Sequence, residues 1–174
     1  MDTMTWHDKA EALSFRTQAF INGHFVDSAS GETFEIINPA TGHLLAHVAR
    51  CTDQDVELAV RAARQAFESR VWCGLPPAER KAILLNYAKL IDEHKEEFAL
   101  LESLDMGKPI SDAMGYDAPA TARCVQWNAE AIDKVYDEVA PVTEGALALV
   151  TREALASSPL SCLGTFLLSW PLGR

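Results

Sequence analysis

Near Thr52 the apolar residues of this chain change their period, and that change fixes what the chain can fold into. Before it they come in short runs of strand character, broken by Asn-Gly and Pro-Gly turn chemistry. After it they recur about every three and a half residues, the spacing of one helix face. A chain built this way is a small β-rich opening followed by helices. Strands so short, with so few partners, are marginal alone and belong to a larger sheet.

Along the front part, Trp6 to Arg16 has loose helical spacing and reads as a short arm. Ala19 to Asp27 predicts a hairpin, with Asn22-Gly23 supplying the positive φ of a tight turn. Thr33 to Ile37 continues as a strand. Asn38-Pro39-Ala40-Thr41-Gly42 is a turn, and His43 to Ala49 is another strand. Thr52-Asp53-Gln54-Asp55 then resembles an N-cap with an acidic residue three places on. Val56, Ala59, Val60, Ala63, Ala66 and Phe67 mark the apolar face of a first helix.

Trp72 to Leu75 reads as a linker. Pro76-Pro77 opens a second helix, because proline is tolerated in a first turn. Its apolar positions run from Ile83 through Leu84, Tyr87, Leu90, Ile91, Phe98, Leu101 and Leu104 to Gly107. There glycine can take the left-handed cap, and Pro109 stops continuation. A third helical region is expected from Ser111 to Tyr136, with Pro119 kinking it or lying in its first turns. Ala146 to Thr151 reads as a departing strand. No repeat or low-complexity segment is visible.

The 174 residues carry a formal net charge of -10, which a phosphate backbone would repel, so nucleic acid is excluded as a partner. No apolar run is long enough to span a bilayer, and the start lacks the basic-then-apolar pattern of a signal peptide. Four widely spaced cysteines with no C-x-x-C pair argue against zinc. A cytoplasmic chain with reduced thiols is the expectation.

Local motifs leave function open. Leu104-Asp105-Met106-Gly107-Lys108-Pro109 is a helix stop on one reading; on another, Asp105 gives an oxygen to a bound cation. His43, His47 and His94 have no partner at a useful spacing. Nothing around Cys162 would lower its pKa, Cys51 has only Arg50 beside it, and Cys124 is most simply a core residue. The four tryptophans read as packing residues. No glycine-rich phosphate cradle occurs.

The succession of pieces is more specific than any one of them. Phe20-Ile-Asn-Gly-His-Phe-Val-Asp27 followed by Phe34-Glu-Ile-Ile-Asn-Pro-Ala-Thr-Gly42 resembles the opening of the NAD(P)-dependent aldehyde dehydrogenase family. Asp55 to Phe67 is similar to that family's first helix. Pro77-Ala-Glu-Arg80 and Leu101 to Pro109 resemble the next landmarks in order. Ala129-Glu-Ala-Ile-Asp-Lys-Val-Tyr136 is similar to the branch acting on γ-glutamyl-aminobutyraldehyde and related aminoaldehydes. The resemblance implies an α/β fold: the N-terminal part of the aldehyde dehydrogenase architecture, with short strands, three helices and one departing strand, an incomplete Rossmann-like domain. It divides the chain into an arm over 1–18, a dehydrogenase portion over 19–153 and an altered tail over 154–174.

That tail, from Ala156 onward, changes character. The family continues approximately Gly-Val-Val-Ala-Ala-Ile-Val-Pro-Trp-Asn-Phe-Pro-Leu, and this tail is what that segment becomes one nucleotide out of frame. Ser157 and Ser158 permit Val-Val; Pro159 and Leu160 permit Ala-Ala; Ser161 and Cys162 permit Ile-Val. Leu163 to Leu167 permit Pro-Trp-Asn-Phe-Pro, all with synonymous third bases. Loss of one G from CTG-GGC at Leu155 would produce the switch, in the gene or in its sequencing.

The family's reaction implies a cysteine thiolate attacking the aldehyde to give a thiohemiacetal, hydride transfer to NAD(P)+, and hydrolysis of the thioester by a glutamate-activated water. That cysteine and glutamate lie beyond residue 174, and the oxyanion-binding Asn is replaced by the altered tail. The resemblance therefore assigns no catalytic or cofactor-binding residue to this chain, and the fragment is expected to bind no NAD(P)+ and to be inactive alone. It does assign a monovalent-cation position to the carbonyls of Ile36 and Ile37 with Asp105. Ala120 and Cys124 take positions that could face the aldehyde channel of a complete enzyme, or could simply pack. Two other expectations follow: association with intact dehydrogenase subunits, and exposed apolar surface that makes the free chain prone to aggregate.

Overall fold

The computed structural model describes residues 5–153. Its strands form three separate antiparallel ribbons. The first joins β1 (Ala19–Ile21) to β2 (His24–Val26), with Phe20 opposite Phe25. Its tight turn rests on Asn22 at φ 51° and Gly23 at φ 80°, the pairing of positive angles that matches strand twist. The second joins β3 (Thr33–Ile37) to β4 (Leu44–Ala49). Pairing slips between Ile36 and Ile37: Ile36 faces Ala46 and Ile37 faces Leu44, so Leu45 is left over as a bulge.

A short helix, α1 (Trp6–Glu11), opens the described chain, capped reciprocally by Thr5 and Asp8. Lys9 reaches Glu96 at 2.5 Å and ties this arm to the helices. The period change at Thr52 is realised as α2 (Asp53–Glu68). Thr52 donates to Asp55 through its backbone N–H (2.7 Å) and its hydroxyl (2.9 Å). Ala29 N–H donates to the other oxygen of the same carboxylate at 2.9 Å, and Ser28 closes the set. One buried carboxylate thus fastens the strand-rich opening to the helix. Of the apolar face expected on α2, Ala59, Ala63 and Phe67 are half-buried, whereas Val56 and Val60 are exposed.

The second helical run is two helices, α3 (Pro77–Glu93) and α4 (Lys95–Met106), which meet at His94. His94 N–H still bonds Leu90 O and Phe98 N–H still bonds His94 O, so only one residue departs from helical geometry. No Gly or Pro marks the place, and apolar spacing reads straight through it. Gly107 ends α4 in the left-handed conformation, φ 73°.

The third run begins one residue earlier than expected, at α5 (Ile110–Asp112), widens into a π-helical turn at Ala113–Asp117, and continues as α6 (Ala118–Ala131). The cause of the widening lies at Pro119. A proline ring would strike the carbonyl four residues back, and a π turn moves it aside. Ala118 N–H accordingly bonds Ala113 O, five residues back. The helix stops at Ala131 rather than Tyr136. There Asp133 is drawn to Lys81 of α3 at 2.7 Å and to Lys134 at 2.8 Å, and Val135 and Tyr136 are exposed.

The core sits between α3 and α6, where Ala88 and Ile91 meet Ala122 and Val125, with Leu84 and Phe98 packed against them. Alanines at this crossing let the two backbones approach closely. The departing strand has a partner that alternation alone did not show: β6 (Ala148–Val150) pairs with β5 (Glu138–Ala140), placing Leu149 opposite Val139. Both of these side chains are exposed.

Candidate functional site

Two of the residue sets singled out from sequence fall on elements that converge. Ile36 and Ile37 end β3 at the bulge, and the Asn38–Gly42 turn follows, with Asn38 accepting Ala40 N–H on its side-chain oxygen at 2.9 Å. Asp105 lies in the last turn of α4, exposed, two residues before Gly107. A Cβ placed on Gly107 would lie 2.9 Å from Pro39 Cγ, so the end of α4 abuts the turn that follows Ile37. The three positions therefore belong to one corner of the fold. Three or more His, Cys, Asp or Glu placed to hold a metal ion occur nowhere among the described residues.

Ala120 and Cys124 stand one helical turn apart on α6, and both are half-buried. Asn128, one turn further, donates from Nδ2 to Cys124 O at 2.8 Å and lies 3.7 Å from Cys124 Sγ. The open groove between α3 and α6 is lined by the neighbouring face instead, including Ala88, Lys89, Pro119, Ala122 and Arg123. Cys124 is thus at the margin of the core, not inside it.

A polar group that sequence reading missed lies between α4 and the π turn. Glu102 is only 3% exposed, and its Oε2 has no hydrogen-bond partner. Asp117 pairs with Lys108 nearby, and Thr121 Oγ1 donates to Asp117 O at 3.0 Å. Burial, and then the Asp117 charge, push the Glu102 carboxyl above the ordinary glutamate range, against the pull of Lys108. Lys108 is raised by its hydrogen bond to Asp117. The available signal was positional: Glu102 falls four residues after Phe98, on the inward stripe of α4.

The described strands pair only as antiparallel ribbons, and none forms the parallel strand–helix–strand unit that seats a dinucleotide pyrophosphate. The helices include none long and apolar enough to cross a membrane among the described residues.

Hairpin, bulged ribbon, helix, proline-started helix and Gly107-capped helix follow one another in this order. The aldehyde dehydrogenase family model matches residues 25–159, and the chain belongs to that family. It is 47% identical to an aminoacetaldehyde dehydrogenase of Pseudomonas aeruginosa over 94% of this chain and 34% of the relative. Identity is also 47% to an NADP/NAD-dependent aldehyde dehydrogenase of Escherichia coli, over 85% of this chain and 30% of the relative.

Among solved structures, an indole-3-acetaldehyde dehydrogenase of P. syringae in complex with NAD+ superposes with a TM-score of 0.83 at 51% identity, over 85% of this chain and 30% of that one. A gamma-glutamyl-gamma-aminobutyraldehyde dehydrogenase from Burkholderia cenocepacia gives 0.78 at 51% identity, over 79% of this chain and 28% of that one. The chain spans about a third of the length of the curated relatives it matches. The expected architecture is therefore the one found: mixed helix and strand, corresponding to the N-terminal part of the family fold.

Proposed function

We propose that this chain is the N-terminal segment of an NAD(P)+-dependent enzyme oxidising aldehydes to carboxylic acids, and that it does not turn over an aldehyde by itself. The carrying observation is its span of 34% of a relative with which it shares 47% identity. The family's nucleophilic cysteine, its water-activating glutamate and its dinucleotide site belong, on this reading, to the remaining two thirds. Aminoaldehydes are the substrate class of the complete enzyme, in keeping with the names of two relatives. Within it the Ile36 and Ile37 carbonyls and Asp105 would help hold a monovalent cation, and Ala120 and Cys124 would border the aldehyde channel. The free thiols of Cys51, Cys73 and Cys124 accord with a cytoplasmic location. Purified chain incubated with aminoaldehydes and NAD+ or NADP+ should give no reduced nicotinamide above buffer; turnover would overturn the reading.

The tail over 154–174 is, on the same proposal, a frameshifted version of the next family segment. Sequencing the coding DNA from codon 150 onward on an independent template tests this. Family sequence continuing in the shifted frame supports it, and third bases that forbid the shifted residues end it.

A second reading has an observation of its own. Val139, Leu149 and Val150 of the β5–β6 ribbon, and Leu147 just before β6, are all more than half exposed. Such a ribbon suits a module that associates with intact dehydrogenase subunits without catalysing anything. Co-expression with a full-length relative should then give a complex that co-purifies; separate elution would remove this alternative.

A further inference from the structure

Glu102 projects from α4 among Tyr87 and Ile91 of α3, Ala113 and Asp117 of the π turn and Thr121 of α6, around a cavity of about 20 Å3. That volume admits one water. The charges near it do not balance. Among the described residues Lys108 is the one cation acting on it, and it is already paired with Asp117; Asp105 on the same helix and Asp112 beside Lys108 add negative charge at longer range. An ionised Glu102 would be a buried carboxylate without a counter-ion and with an unpaired oxygen, a costly arrangement. A metal cation is a poor answer, because most of the wall is hydrocarbon and too few oxygens face inward to replace a hydration shell. A proton answers both problems, since it removes the charge and turns an orphan acceptor into a donor.

We propose that Glu102 is a buried proton-binding site, a pH-sensitive latch between α4 and the π turn. With its proton on, the side chain seats neutral beside the Lys108–Asp117 pair. With the proton lost, its uncompensated charge draws water into the junction and loosens it. A carboxyl that binds its proton more tightly when folded gives stability that falls as pH rises from the ordinary carboxylate range through its folded value. The full chain and Glu102→Gln, whose amide mimics the neutral acid, should therefore diverge with pH. As pH rises from the ordinary carboxylate range to neutrality and above, the melting temperature of the original chain should fall relative to that of the variant. A difference that is constant, or that moves in favour of the original chain as pH rises, would overturn the proposal.

Carbon-13 carboxyl NMR of the full chain gives a readout independent of any variant's folding. One glutamate resonance should titrate later than the others, and a uniform set would overturn the proposal. In Asp117→Asn the lysine is released to pair with Glu102, so that late resonance should move down to the ordinary range. A late resonance unmoved by this change would likewise overturn the latch.

Discussion

Gly107 and Pro39 touch so closely that no side chain fits between them: a Cβ on Gly107 would lie 2.9 Å from Pro39 Cγ, on a backbone already at φ 73°. Helix cap and interlement contact coincide at this one residue. The contact also joins the turn after Ile37 to the helix end that carries Asp105.

Gly107→Ala should therefore cost more than a left-handed cap alone, about 1–2 kcal/mol for the conformation with the clash added. Pro39→Ala in the same chain should recover part of that loss by removing the ring, while the conformational part remains. Urea unfolding of the two single variants and the double variant measures both. Simple additivity would show that the contact does not matter in solution.

Asp55 accepts hydrogen bonds from Thr52, Ala29 and Ser28, and the backbone bonds from Thr52 and then Ala29 hold its carboxyl below the ordinary aspartate range. Its folded pKa is depressed, so the stability it gives is present above the unfolded pKa and is lost as pH falls through the folded value. Asp55→Asn should lower the melting temperature at neutral pH and flatten its decline in acid. Circular dichroism melts across the acidic range would show this, and a variant whose acid decline parallels the original would contradict it.

Val125 is 1% exposed at the crossing of α3 and α6. Val125→Ala should cost about 2 kcal/mol in denaturant unfolding, through lost burial and a residual cavity. Trp127, exposed two residues on, should tolerate Ser with little change.

Leu149 and Val139 face each other across the terminal ribbon, 60% and 67% exposed. Replacing Leu149 by Lys and Val139 by Glu should keep an oppositely charged cross-strand pair while removing adhesive surface. Light scattering at matched concentration should show less aggregate than the original chain. The same variant should bind a full-length relative less well if the ribbon is an association surface.

Sequence by itself determined whatever depends on neighbours a few residues apart. Asn22-Gly23 dictated the first hairpin, Thr52 and Asp55 the start of α2, and Gly107 with Pro109 the end of α4, because turn and cap energies are local. The order of these pieces was enough to indicate the family. Tertiary structure decided what no local window contains. The interruption at His94 has no Gly or Pro to announce it, and the π turn answers to Pro119 only once α6 must pack on α3. Helix α6 stops early where Lys81, 52 residues before Asp133, draws that carboxylate away. Nothing local sets Glu102 apart from other helical charges; only the packing of α4 against the π turn buries it beside the Lys108–Asp117 pair.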